Sequence, residues 1–276
     1  MNRTMITATN TLNQLQKQMD IISNNLANLD TTGFKSRQAT FSDLLYSQFD
    51  NQPNKTAETN RLTPNGIRQG VGAKLGQVQI NLKQGALKQT GRQLDMALQS
   101  EGQFFKVLVQ NGTTSSVQYT RDGSFALSPV SEKEVMLVNS AGNPILDENN
   151  HPIIINGDAS DYSVEGNGKL TVKMTNGTNQ LVNLGVIQVN KPQFFEQKGT
   201  NLIGLAENAG QTAGVFTDLN GTLRRQISVG QGVLEQSNVD MGKEMTELVN
   251  VQRAYQFQAR AVTMADQMEG LVNGIR

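Results

Sequence analysis

The chain has 276 residues, enough for one large or two modest domains, yet it is poor in core-forming residues, with no tryptophan and 5% aromatics. Its 24 Lys plus Arg balance 24 Asp plus Glu, which excludes an electrostatic footprint for nucleic acid or an anionic membrane surface and lets copies approach without mutual repulsion. The absence of cysteine excludes disulfides and thiolate metal sites and fits a protein that works outside the cytoplasm.

The first predicted element is a helix. Met5, Ala8, Leu12, Leu15, Met19, Ile22 and Leu26 follow one another at steps of three and four, which sets them on one face in a stripe as narrow as a coiled-coil seam. No apolar segment of the kind that heads a secretory signal precedes it, and the longest apolar run, Val135 to Val138, is too short to span a bilayer. Asp30, Thr31, Thr32 and Gly33 predict the stop, because Asx and Thr turns compete with helix and glycine accepts positive φ. A polar stretch from Ser47 to Gln69, holding Pro53, Pro64 and Gly66, predicts extended or loop structure.

From about Val71 the period changes to two. Val78, Ile80 and Leu82 alternate with Gln77, Gln79, Asn81 and Lys83, which predicts a strand with one covered face. Asn111-Gly112, Asp122-Gly123 and Asn176-Gly177 each read as a two-residue hairpin turn, the last joining Leu170, Val172 and Met174 to Val182 and Leu184. Gly199 to Gly232 reads as a glycine-rich return path.

The last element is again a helix, predicted to begin near Ser237 to Asp240, with Ser and Asn offering caps and Asp240, Glu244 and Glu247 suiting the positive end of its dipole. Its apolar residues shift register near Tyr255. Leu248, Val251, Tyr255 and Val262 give way to Ala254, Phe257, Ala261, Met264, Met268, Leu271 and Ile275, a stripe broad enough to touch more than one neighbour. The fold class expected is α+β: discontinuous terminal coiled-coil helices packed together, a central antiparallel β-rich domain and extended connectors. The expected division is 1–46 with 233–276 for helical assembly, 47–99 with 191–232 as an extended or β connector region, and 100–190 as an outer β-domain. The burial available to one seam does not clearly exceed the entropy of ordering its backbone, so the ends are expected to become helical only when copies pack together.

No catalytic constellation emerges. His151, the only histidine, sits between Asn150 and Pro152 in a turn-like setting, and no Ser-His-Asp or Cys-His set can be assembled. Asp95 with Glu101, or Asp147 with Glu148, offer carboxylate pairs of a kind that any chain this long contains, better read as turn or surface residues. Gly66, Gly70, Gly72 and Gly76 lack the strand-to-helix context of a phosphate loop, and Asp158 to Asp161 lacks a calcium-loop pattern. No cofactor or metal is expected, and the chain reads as a self-assembling rod rather than an enzyme.

Three blocks in order along the chain carry a resemblance. "QMDIISNNLANLDTTGFKSRQATFSDLLY" (Gln18 to Tyr46), "QGALKQTGRQLDMALQSEGQFFKV" (Gln84 to Val107) with "YTRDGSF" (Tyr119 to Phe125), and "LEQSNVDMGKEMTELVNVQRAYQFQARAVTMADQM" (Leu234 to Met268) resemble the signatures of bacterial flagellar rod and hook proteins. The polar insertion after Tyr46 and the "GVGAKLG" that ends it are most similar to the distal rod branch. Ser128 to about Gly230 follows the family loosely, and Gln258 stands where the family often has asparagine.

The resemblance implies an axial subunit of the flagellar drive shaft. It would be exported by the flagellar type III apparatus without signal cleavage and would assemble helically with itself, onto proximal rod and beneath the hook, with ring or bushing proteins as further partners. It implies no nucleic-acid binding and no direct membrane insertion. In that setting Asn24, Asn25 and Asn28 are expected to face partners through hydrogen bonds, and Arg253 and Tyr255 of "QRAY" to bridge helices. A hook or proximal rod subunit is the alternative within the class; a secreted wall-binding or wall-cleaving protein with helical tails is the alternative outside it.

Overall fold

The computed structural model describes residues 3–43, 47–49, 67–69, 73–112, 114–156, 159–206 and 214–274. The chain divides into two compact units, Met1–Asn24 with Ala39–Val78 and Gly242–Arg276, and Asn25–Gln38 with Gln79–Met241. The polar stretch from Ser47 to Gln69 lies mostly outside the described residues.

The first unit contains most of α1 (Arg3–Ala27) and of strand β1 (Arg37–Asp43), strands β2 (Ser47–Phe49) and β3 (Ile67–Gln69), and most of strand β4 (Ala73–Ile80) and of α2 (Met241–Gly274). β1 pairs with β4, and β2 with β3. The α1 stripe turns inward as its spacing requires: Ala8 and Ile22 are buried, while Met5, Leu12, Leu15, Met19 and Leu26 are half-buried. Gln14 anchors α1 to β4 by accepting from the Leu75 amide at 3.0 Å, and Gln18 donates to Glu247 of α2 at 3.1 Å.

α1 ends where the sequence says it should. The Asn28 and Leu29 amides bond back three residues to Asn25 and Leu26, tightening the last turn, and Gly33 follows at φ 68°. A Cβ at Gly33 would overlap the backbone of Arg121 and Asp122, so close approach adds to the conformational reason for glycine. At the other helix, Asp240 immediately precedes α2, but Asn238 is no cap: its side chain bonds elsewhere in the second unit.

The second unit is β-rich. In chain order it holds β5 (Leu87–Gln89), β6 (Met96–Leu98), β7 (Gln103–Asn111), β8 (Thr114–Thr120), β9 (Ala126–Ser131), β10 (Glu134–Val138), β11 (Ile154–Asn156), β12 (Ala159–Val164), β13 (Lys169–Met174), β14 (Asn179–Asn183), β15 (Val186–Val189), β16 (Phe195–Gln197), β17 (Leu202–Leu205), β18 (Phe216–Asp218), β19 (Val229–Gln231) and β20 (Val233–Glu235). A six-stranded sheet in the order β16-β17-β8-β7-β15-β18 is accompanied by the three-stranded sheets β11-β10-β9 and β12-β13-β14 and the pairs β19-β6 and β20-β5. Pairing throughout this unit is antiparallel.

The large sheet is covered on both faces, which explains why "FFKV" is not alternating. Phe105 and Val107 of β7 and Val186 of β15 join one core with Met96, Phe125, Leu137 and Leu184; Phe104 and Ile187 join another with Ile80, Tyr119 and Phe195. Edge-to-face packing of Phe105 on Phe125 at 5.2 Å, and of Tyr119 on Phe195 at 5.9 Å, concentrates the few aromatics where they exclude most water. Within 47–99 and 191–232, the expected extended or β connector region, residues 79–99 carry β6, buried throughout, and residues 191–232 carry β16 to β18, bonded into the main sheet.

The turn pairs differ in outcome. Asn111-Gly112 lies at the β7–β8 turn with Gly112 at φ 63°. Asn176-Gly177 joins β13 to β14 as expected, but through a loop longer than two residues: Leu170 is opposite Val182 and Lys173 opposite Asn179, where a two-residue turn would set Leu170 opposite Asn183, and Asn176 Oδ1 accepts from the Thr178 amide. Asp122-Gly123 is not a hairpin. The Asp122 carboxylate accepts from Ser124, Ser140 and Asn201, and Gly123 allows contact with Met96, whose carbonyl oxygen any Cβ would overlap.

Candidate assembly interface

α2 has three faces. Glu244, Val251 and Ala265 are buried and Glu247, Tyr255, Gln258 and Val262 half-buried, a seam at steps of three and four. Phe257, Met264, Met268 and Leu271, 75%, 56%, 59% and 68% exposed, form a ridge roughly a third of a turn away. Met241, Met245 and Val249, also exposed, lie at steps of four roughly a third of a turn the other way. The inner seam thus runs past Tyr255 without a shift of register, and two apolar ridges face outward on either side of it. Leu248 and Ala261 are half-buried at the borders, and Arg253 is exposed.

The asparagines of α1 are placed differently from expectation. Asn25, 1% exposed, donates to the Arg37 carbonyl at 2.9 Å and accepts from the Arg37 amide at 3.0 Å. Its amide imitates a peptide group and fastens the end of the helix to the strand that follows, so it faces inward rather than toward a partner. Asn28 is buried and accepts from the Thr31 hydroxyl at 3.1 Å, inside the stop turn. Asn24 is half-buried.

Within the second unit, three charged residues that the sequence reading did not single out meet in one buried knot. Glu235, on β20, holds Lys35 Nζ at 2.7 Å and the Gly85 amide at 2.8 Å through one carboxylate oxygen, and Arg121 Nε through the other. Arg121 donates further to the carbonyls of Ser100, Gln103 and Leu98 at 2.8, 2.6 and 2.7 Å, and Lys35 to that of Lys83 at 2.7 Å. Burial pushes the Lys35 ammonium below its ordinary pKa; Glu235 opposes that shift and Arg121 adds to it. Asn238 completes the knot, accepting from the Ser36 amide at 2.7 Å and donating to the carbonyls of Asn81 and Lys83, each at 2.9 Å.

The available signal was one charge directly after an apolar or small residue in each quoted block: Phe34-Lys35, Thr120-Arg121 and Leu234-Glu235. Pattern alone pairs none of them, since Lys35 and Glu235 are 200 residues apart.

The side chains considered for catalysis do not come together in one site in the structure. His151 is exposed on its loop, 4.0 Å from Asp147, and Asp95 is buried with Arg92 beside it at 3.3 Å while Glu101 is exposed. Among the described residues no cluster of three or more His, Cys, Asp or Glu could hold a metal ion, and no helix is long and apolar enough to cross a membrane. Exposed apolar ridges on α2 and a β-rich unit held by buried polar contacts suit a structural protein.

Family models place it further. Residues 5–35 match the flagella basal body rod protein model, 97–183 the flagellar hook protein FlgE/F/G D1 domain, and 231–275 the flagellar basal body rod FlgEFG protein C-terminal region. The chain is 42% identical to the flagellar hook-basal body complex protein FlhP of Bacillus subtilis across the whole of both chains. It is 33% identical to the flagellar basal-body rod protein FlgG of Borreliella burgdorferi over 100% of this chain and 99% of that one, and 29% identical to FlgG of Bacillus subtilis over 99% of each. The chain belongs to the flagellar basal-body rod and hook protein family, on its distal rod branch, and is a structural subunit of the rod. Each matched segment contributes one member of the knot: Lys35, Arg121 and Glu235.

Proposed function

We propose that this subunit polymerises helically with copies of itself, its terminal helices packing as coiled coils with those of neighbours, and that the polymer carries torque between motor and hook. The observation that carries the reading is the pair of apolar ridges on α2, exposed on either side of a seam already in use. An inward seam serves the fold; two outward ridges provide contacts to two further neighbours. Repeated contacts of that heterologous kind do not close on themselves but propagate into an open helical filament. Balanced charge supports close packing of identical copies.

In this reading the chain sits in the basal body within the cell envelope, between proximal rod and hook. Its β-rich unit offers a surface to ring or bushing proteins, it leaves the cytoplasm through the flagellar type III apparatus, and it catalyses nothing. The test is polymerisation of the purified subunit: filaments above a critical concentration, and the protein in isolated basal bodies at the rod, are expected. A chain that stays monomeric at every concentration and is missing from basal bodies would refute the reading, and peptidoglycan cleavage in a zymogram would replace it with a wall-cleaving role.

A further inference from the structure

The segment from Val229 to Asn238 lies across the second unit as a strap. β19 pairs with β6, Val229 opposite Leu98 and Gln231 opposite Met96, and β20 pairs with β5, Val233 opposite Gln89 and Glu235 opposite Leu87. The amides of Thr90 and Gly91 donate to the Gly232 carbonyl, that of Gly33 to the Glu235 carbonyl, and that of Gln236 to the Ala86 carbonyl. A Cβ at Gly85 would overlap the Gln236 carbonyl oxygen, so the strap lies directly upon that residue. Every one of these partners precedes the strap by more than a hundred residues.

The charge arrangement gives the strap a second property. Three of the bonds that hold Arg121 come from carbonyls of Leu98, Ser100 and Gln103, and one that holds Lys35 comes from the carbonyl of Lys83, all outside the strap. These carbonyls orient the two cations but do not neutralise them. The one carboxylate bonded to these two cations arrives with the strap; Glu101 acts on Lys35 only through space and more weakly than Glu235. Without the strap, two buried positive charges face each other in a low-dielectric interior, an arrangement that opens to admit water or does not form.

We propose that the strap closes last and that Glu235 is its latch: the β-rich unit reaches its closed form only when the C-terminal part of the chain is present. Contacts of long sequence separation form late because loop closure opposes them until many are made together, and the hairpins of this unit need no such closure. A chain still being delivered from its N-terminus therefore holds hairpins but an open body. Closure coincides with the arrival of α2, which starts six residues after the latch.

Pulse-labelled hydrogen exchange during refolding of the full chain tests this. The amides of Met174 and Leu184, bonded within or beside the β13–β14 hairpin, are expected to gain protection first, and those of Gly33, Gly85 and Gln236 about tenfold more slowly or slower still. Glu235→Gln keeps the shape and removes the charge; it should leave the hairpin phase unchanged and lower strap protection at equilibrium by at least about a hundredfold. Adding Lys35→Met to Glu235→Gln removes one stranded cation and should return at least about a tenfold part of that loss, which a simple loss of hydrogen bonds would not allow. Simultaneous protection of strap and hairpins, native strap protection in Glu235→Gln, or no recovery in the double variant would each overturn the proposal. Should Glu235→Gln fail to fold, recovery of folding in the double variant supports the latch and its absence overturns it.

Discussion

Phe257→Asp separates assembly from folding. Phe257 is 75% exposed in the subunit, so the substitution costs the isolated chain little, within about 0.5 kcal/mol for an exposed site away from special contacts. In a filament that covers the ridge the same side chain would gain about 1 to 2 kcal/mol, the exposed share of what full burial of a phenylalanine yields. The whole ridge, with Met264, Met268 and Leu271, would gain roughly 4 to 8 kcal/mol. A carboxylate in that covered position forfeits the phenylalanine share and adds a desolvation penalty of about 2 kcal/mol or more. Together these exceed about 3 kcal/mol, and at about 1.4 kcal/mol per decade the critical concentration for polymerisation should rise by more than about a hundredfold.

Sedimentation and light scattering over a concentration series measure that quantity, and circular dichroism of dilute subunit measures the folding control. Val251→Asp is the opposite case: Val251 is 5% exposed on the inner seam, and a charge there should unfold the helical unit before assembly is tested. A critical concentration for Phe257→Asp within about threefold of the native value, about 0.7 kcal/mol, would refute the assignment of the ridge to subunit contact.

Other outcomes follow from single contacts. Gly123→Ala would drive a Cβ into the Met96 carbonyl and should destabilise the β-rich unit by about 3 kcal/mol or more, whereas Gly112→Ala, with nothing near the new methyl but a φ of 63°, should cost only about 1 kcal/mol in denaturant unfolding. Asn25→Ala removes both bonds to the Arg37 backbone and should cost about 1 to 3 kcal/mol, with faster hydrogen exchange at the Arg37 amide; unchanged exchange would show that the peptide mimicry is dispensable. Burial first, and the Asp218 carboxylate second, push the Tyr119 phenol from 10.0 up to about 12. The folded chain thus keeps a proton that the unfolded chain releases, so this contribution is full below about pH 10 and is lost as pH rises toward 12. Phenolate absorbance of the native protein minus that of Tyr119→Phe should titrate in that range, and unfolding should become easier across it.

Local chemistry made much of this chain legible. The α1 stripe, the stop at Asp30 to Gly33, the start of α2 near Asp240 and the pairing of β13 with β14, though not its register, follow from periodicity and turn preference, forces acting within a few residues. Asp122-Gly123 failed as a turn because a glycine permits two things, positive φ and close approach, and only the packed neighbour Met96 decides which is used. Asn25 was misplaced for a similar reason. Its amide suits a partner's backbone or its own chain equally well, and the return of Arg37 beside it settles the matter.

The sequence by itself determined the α+β class, the helical ends, the absence of disulfide chemistry and the kinship with flagellar rod and hook proteins, because spacing, composition and motif are properties of order along the chain. Tertiary structure alone decided which apolar residues of α2 face in and which face out, and that Lys35, Arg121 and Glu235 share one buried site. The physical reason is distance: electrostatic and packing energies depend on separation in space, and a pair 200 residues apart has none until the fold brings its members to 2.7 Å.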